Sequence, residues 1–126
     1  MKKILIIDDE KPIVEALNDK FIREGFEVLV ARTAKEGWEK IETKKPDLTL
    51  LNIFMPGALG WETLEKIKTH PSSEINSLPV IIFSNMGGVK DIKRAKEMGA
   101  VDFIVKANFS LKEIVQKIRD ALNLNQ

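Results

Sequence analysis

Four short stretches of this sequence carry groups that could hold a cation beside an anion. Asp8, Asp9 and Glu10 are adjacent carboxylates directly after the apolar run Ile4-Leu5-Ile6-Ile7. Adjacent carboxylates repel one another unless a cation sits among them, and a few hard oxygen ligands with room for water suit Mg²⁺. Asn52 follows Leu50-Leu51, Ser84 and Asn85 follow Val80-Ile81-Ile82-Phe83, and Lys106 follows the run Val101 to Val105. An ammonium and a hydroxyl fit an anion held next to the metal, such as a phosphoryl group. Taken alone, Asp8-Asp9 is equally well a solvated acidic turn that starts a helix through its dipole. Ser84 and Lys106 at matching positions favour the metal-and-anion pocket.

These groups can meet only if the apolar runs before them are strands of one sheet. Ile4 to Ile7 is continuous and rich in β-branched residues, as in a strand covered on both faces. Residues 12 to 24 read as a helix with Pro12 in its first turn, Ile13, Ala16, Leu17 and Phe21 on one face, and Gly25 as its stop. Phe26, Val28 and Val30 alternate, which suggests a strand nearer an edge. Thr33-Ala34-Lys35-Glu36 has the form of a capping box, and the helix behind it aligns Ala34, Trp38 and Ile41. Pro46 closes that connection, and Asp47 to Asn52 reads as a third, buried strand. Met55-Pro56-Gly57 is a turn. A third helix runs to about Thr69 with Trp61, Leu64 and Ile67 inward. His70 to Pro79 reads as a polar loop, Val80 to Phe83 as the fourth strand, and Gly87-Gly88 as a flexible start to a fourth helix ending at Gly99. Val101 to Val105 is the fifth strand. Ser110-Leu111-Lys112-Glu113 is a second capping box, and its helix carries Leu111, Ile114, Val115, Ile118 and Leu122 at helical spacing.

Five βα units with short connections predict a five-stranded parallel sheet with helices on both sides, formed as one domain over residues 1–126. Ligands of such sheets bind beyond the carboxyl ends of the strands, where the acids, the amide, the hydroxyl and the lysine all fall. The 126 residues are 44% hydrophobic and 31% charged, a globular balance. The net charge of +1 predicts no general attraction to nucleic acid or membrane. With no cysteine, disulfides, thiolate metal sites and a cysteine nucleophile are excluded. No apolar run approaches a membrane span, and the four-residue run near the start ends in acids, unlike a signal peptide. A cytoplasmic location is the expectation.

The chain resembles a response-regulator receiver domain over essentially its whole length. The resemblance rests on Asp8-Asp9-Glu10, Pro46-Asp47-Leu48, Met55-Pro56-Gly57 with Gly60, Ser84, and Gly99-Ala100 leading to Phe103 and Lys106. It implies a flavodoxin-like (βα)5 fold with strand order 2-1-3-4-5. Asp8 and Asp9 would hold Mg²⁺ with position 52 and the backbone carbonyl of Phe54, and position 52 would accept phosphate. Ser84 and Lys106 would contact the phosphoryl oxygens, and Phe103 would be the aromatic that swings inward with Ser84. The implied partners are a histidine kinase or phosphotransfer protein and a downstream effector. The effector would bind the face of the fourth helix, fifth strand and fifth helix. Direct nucleic-acid binding, membrane binding and enzymatic turnover are not expected, and a monomer or weak dimer is.

Asn52 departs from that pattern. A carboxamide is a far poorer nucleophile than a carboxylate and offers no anionic oxygen to the metal. Mg²⁺ is therefore expected to bind weakly. The asparagine marks either an introduced Asp→Asn substitution or a natural pseudo-receiver that docks proteins without phosphate. Ala107 is a second departure, because receivers usually carry a cis proline after this lysine; a cis bond to alanine would cost about 3–4 kcal/mol, which points to a trans bond or a local rearrangement. Leu59, beside Trp61, is a third and reads as a lid over the third helix rather than a contact patch. His70 reads as a surface residue, and Trp38 and Trp61 as packing. Lys90, Lys93, Arg94 and Lys96 make the fourth helix basic, as a solvated face or a partner or dimer surface.

Two other functions compete. A flavodoxin-like nucleotide or flavin binder needs a phosphate-cradling loop after the first strand, where three acids would repel phosphate, and no G-x-G-x-x-G stands there. A Mg²⁺-dependent phosphohydrolase with Asp8 as nucleophile usually needs a cap or further acids, for which the chain has little room.

Overall fold

The computed structural model describes residues 1–55 and 60–124. The expected turn through Pro56 and Gly57, and Leu59, lie outside the described residues. Five strands form one parallel sheet: β1 (Lys3–Ile7), β2 (Glu27–Ala31), β3 (Leu48–Leu51), β4 (Val80–Ser84) and β5 (Asp102–Val105), in the order β2-β1-β3-β4-β5. The helices between and after them are α1 (Lys11–Arg23), α2 (Ala34–Lys44), α3 (Gly60–Lys68), α4 (Val89–Glu97) and α5 (Leu111–Ala121).

The sheet separates two apolar layers. Leu5, Ile7, Leu51 and Ile82 pack with Ile41 of α2 and Leu64 and Ile67 of α3. Ile4, Ile6, Leu50 and Phe83 pack with Leu17 and Phe21 of α1 and Ile114 and Ile118 of α5. Because successive strand residues point to opposite faces, a strand covered on both sides is apolar at every position. That explains the unbroken runs in β1 and β4; β2, at the edge, is partly exposed along most of its length rather than alternating between buried and exposed. Among the described residues, no helix is long and apolar enough to cross a membrane.

Several local expectations change. Thr33 caps α2 by accepting from Glu36 N (3.1 Å), but Glu36 Oε1 accepts from Arg32 N (2.6 Å) rather than from Thr33. In extended backbone, consecutive N–H groups point to opposite sides, so the amide facing the glutamate is one residue earlier. The box at Ser110 and Glu113 is complete, with bonds of 2.9 and 3.1 Å in the two directions. Gly25 and Gly99 take φ of 91° and 98°, the left-handed stops expected of them. β2 begins one residue after Phe26, which is buried. Val101 precedes β5. Its amide bonds Val80 O at 2.9 Å, while its side chain is exposed.

The polar loop after α3 contains a helical turn, Ser73–Asn76, because Ile75 and Leu78 are apolar anchors that bury there. His70 is half-buried rather than a free surface residue. Its Nδ1 accepts from Ser72 N (3.0 Å), and its ring centroid is 5.9 Å from that of Trp38. Trp61 packs against the core, and the Arg94 guanidinium lies 4.2 Å from its ring centroid.

Candidate functional site

The strand register gathers the site. Ile7 pairs with Leu51, so the residues that follow, Asp8 and Asn52, leave the sheet side by side. Their backbones extend the ladder one step further: Asp8 N donates to Ala31 O and Asn52 N to Ile7 O, each at 3.0 Å. Ser84 pairs with Val105, the residue before Lys106. Carboxylate, amide, hydroxyl and ammonium thus come to one rim of the sheet, as their positions after the apolar runs predict.

Asp8 is fully buried and Asn52 is 3% exposed. Asp8 Oδ1 accepts from Glu10 N (3.0 Å) and from Asn52 Nδ2 (3.3 Å). Asn52 Oδ1 accepts from Phe54 N (2.9 Å). The amide is thereby oriented at both ends, its NH2 toward a carboxylate and its oxygen toward an N–H. Asp8 Oδ2 lies 2.6 Å from Lys106 Nζ as an ion pair, yet it has no aligned hydrogen-bond donor.

Lys106 reaches the rim from a short turn directly after β5, in line with the cost of a cis bond to Ala107. No cis peptide bond occurs among the described residues, and Lys106–Asn108 forms a short 3₁₀ turn. Its side chain is only 7% exposed, and Nζ also lies 2.6 Å from Glu10 Oε1 and 5.1 Å from the Phe83 ring centroid. Two carboxylates stand against this enclosed ammonium and compensate part of the hydration it loses on burial. Glu10 Oε1 accepts in addition from Asn85 Nδ2 (2.7 Å). The hydrogen bond from Lys106 holds the Glu10 carboxyl below its usual range, and Asn85 adds to the effect against the opposing influence of burial.

The remaining residues fall nearby in different roles. Asp9 is half-buried, and its backbone oxygen accepts from Arg32 Nη2 (2.9 Å). Ser84 is fully buried, with Oγ accepting from Met86 N (3.2 Å). Phe54 follows the site with its side chain exposed. Phe103, paired in register with Ile82, is half-buried against the core. A Cβ at Gly87 would lie 2.5 Å from Phe103 Cε1, so the β4–α4 loop runs directly against the ring.

From the sequence, Glu10 was only one of three clustered acids and Asn85 only a strand-end amide; in the structure both belong to the network. A signal was available: three acids end one strand, and Lys106 is the cation that follows another. A side chain two residues beyond Asp8 is within reach of it.

The family model of the response regulator receiver domain matches residues 4–119. This chain belongs to that family. Solved structures agree with the assignment over whole lengths. A CheY-like receiver domain protein from Methanospirillum hungatei JF-1 is 31% identical, with a TM-score of 0.86, covering 98% of this chain and 94% of that one. The receiver domain of NtrX from Brucella abortus is 30% identical with a TM-score of 0.83, covering 97% and 99%. A two-component response regulator from Clostridium difficile is 25% identical with a TM-score of 0.87, covering all of both chains. The sheet order of this receiver is the CheY-like order expected from the resemblance. Its rim is built by Asp8, Glu10, Asn52, Asn85 and Lys106 in direct contact.

Proposed function

We propose that this receiver is a signalling switch and docking module, not an enzyme, and that Asn52 occupies the phosphoacceptor position and cannot be phosphorylated. The observation that carries the reading is the contact of the Asn52 amide with Asp8, at the end of the strand beside β1. A buried neutral amide whose nitrogen serves a carboxylate and whose oxygen serves an N–H has no electron pair suited to attack phosphorus. Ser84 and Lys106 would contact the phosphoryl oxygens if position 52 were aspartate, and Phe103 would answer movement of Ser84.

Mg²⁺ is the metal the family implies. The available donors are hard oxygens: the Asp8 and Asp9 carboxylates, the Asn52 amide and the Phe54 carbonyl. Asp8 Oδ2, buried without an aligned donor, has a lone pair to give. Among the described residues, no three His, Cys, Asp or Glu side chains gather as a metal cluster. Mg²⁺ commonly takes one or two carboxylates and keeps water, so the residues fit it, with weak binding. When bound, Mg²⁺ neutralises charge on a phosphoryl group beside it.

The phosphate source would be a histidine kinase or phosphotransfer protein in the cytoplasm. The effector would dock on the α4–β5–α5 face, where Val89, Ile92 and Val101 are exposed. Acetyl phosphate with Mg²⁺ tests the acceptor assignment. Intact mass spectrometry should show the present chain unmodified and Asn52→Asp carrying one phosphoryl group. Phosphate on the present chain, or none on the variant, would refute it.

A further inference from the structure

We infer that His70 is a pH-sensitive latch: its neutral imidazole holds the segment between α3 and β4 in place beside α2, and protonation releases that segment. The inference does not depend on the acidic rim, since this segment enters β4 at the opposite, amino end of the sheet.

The hydrogen bonds fix the chemistry. His70 Nδ1 accepts from Ser72 N (3.0 Å), so the ring proton of the neutral form sits on Nε2. A second proton can then go only to Nδ1, where it would set two N–H groups against each other. Histidine is the side chain that ordinarily gains its charge between about pH 5 and 8, so mild acid is enough to make the exchange. What the bond holds is the start of the helical turn Ser73–Asn76. Ser72 O accepts from Ile75 N (3.2 Å) and Asn76 N (2.9 Å), and Asn76 Nδ2 returns to His70 O (3.0 Å). The turn buries Ile75 and leads through Leu78, also buried, to Pro79, whose carbonyl accepts from Thr49 N of β3 (3.0 Å). Releasing Ser72 therefore loosens the stretch of chain that feeds β4.

The surroundings do not replace the lost bond. From α2, the group beside the imidazole is the uncharged Trp38 ring, 5.9 Å away between centroids. From α3 come two ammoniums. Lys66 lies 4.3 Å from the centroid of the same Trp38 ring, and Lys68 donates to Leu78 O (2.7 Å). On the turn itself, Glu74 is paired with Lys45 at the end of α2 (2.9 Å). Among the described residues, no carboxylate pairs with the imidazole. A protonated ring thus adds positive charge beside Lys66 and Lys68, finds no free acid for its Nδ1–H, and meets a Trp38 ring that Lys66 already engages.

An NMR titration of the ¹⁵N-labelled chain from about pH 8 to about pH 5 tests the latch. The Ser72 amide should move with the same midpoint as the His70 ring protons. Hydrogen-exchange protection at Ser72 and Ile75, corrected for the intrinsic effect of pH, should fall about two- to tenfold, as loss of one hydrogen bond implies. His70→Asn keeps a side-chain oxygen able to accept from the amide two residues on and takes no proton, so its protection should hold across the whole range. His70→Ala should show the low protection already at about pH 8. A His70 ring that titrates in the native chain while Ser72 and Ile75 stay unchanged would overturn the inference, and this measurement needs no variant. So would an acid transition at Ser72 that persists in His70→Asn, because another group would then be its source.

Discussion

Replacing Asn52 by aspartate should destabilise the metal-free protein, and Mg²⁺ should repair it. In the parent, Asn52 Nδ2 donates to Asp8 Oδ1 across 3.3 Å. The variant sets two carboxylates at that distance in a site sealed from solvent. Two unit charges so placed repel by about 5 kcal/mol at an effective dielectric near 20. The donated hydrogen bond is lost as well. Against this, Phe54 N, 2.9 Å from Asn52 Oδ1, bonds a carboxylate more strongly than an amide, and Lys106 attracts both acids. Lys106 is already shared with Glu10, so it offsets only part. The net loss should be about 2–3 kcal/mol, a large share of the roughly 5–15 kcal/mol that holds a domain together. Urea unfolding at neutral pH in a chelator measures it. Mg²⁺ at about 100 times its dissociation constant should return about 2.7 kcal/mol to the variant. The parent should gain much less. If Asn52→Asp proves as stable as the parent in the chelator, the charge argument for this rim is wrong.

Three further outcomes follow from other parts of the fold. Gly60→Ala would drive a Cβ into the Ile53 backbone beside the site and should cost about 1–3 kcal/mol in urea unfolding. Ser110→Ala removes the cap that accepts from Glu113 N and should cost about 1 kcal/mol, read as a lower melting temperature. Glu24 is held below its usual carboxylate range by hydrogen bonds from Lys20, one turn earlier in α1, and then from Arg119, which ties the end of α1 to α5. A carboxyl depressed on folding stabilises the protein above its unfolded pKa, and that stability is lost as pH falls through the folded pKa. Glu24→Gln should therefore unfold earlier than the parent at neutral pH, with the difference fading in acid; a gap that stays constant with pH would contradict the pairing.

The fold was legible because its signals are redundant. The strands β1 and β4 carry long unbroken apolar runs, the helices show apolar faces, and glycines at 25 and 99 punctuate where φ turns positive. The meeting of Asp8, Asn52 and Lys106 was legible for the same reason, since parallel strands in register deliver their next residues to one rim. What escaped was the choice of partner within reach. Lys106 could be foreseen at the pocket, but its division between Asp8 and Glu10 is set by side-chain geometry that residue types do not encode. The partner of Glu36 shifted by one residue because backbone amides alternate, a detail that residue types do not encode. His70 was misjudged because one histidine in a polar stretch gives no hint that Ile75 and Leu78 pull its loop down beside Trp38.

The missing side chain at Gly87 leaves the Phe103 ring and the backbone of the β4–α4 loop competing for one volume. The bare backbone at 87 is what lets the loop after Ser84 lie so close to the aromatic ring. The fit of this loop against β5 is thus set by excluded volume rather than charge. Any residue larger than glycine at 87 would have to push the ring or the loop aside, whatever the state of the acidic rim.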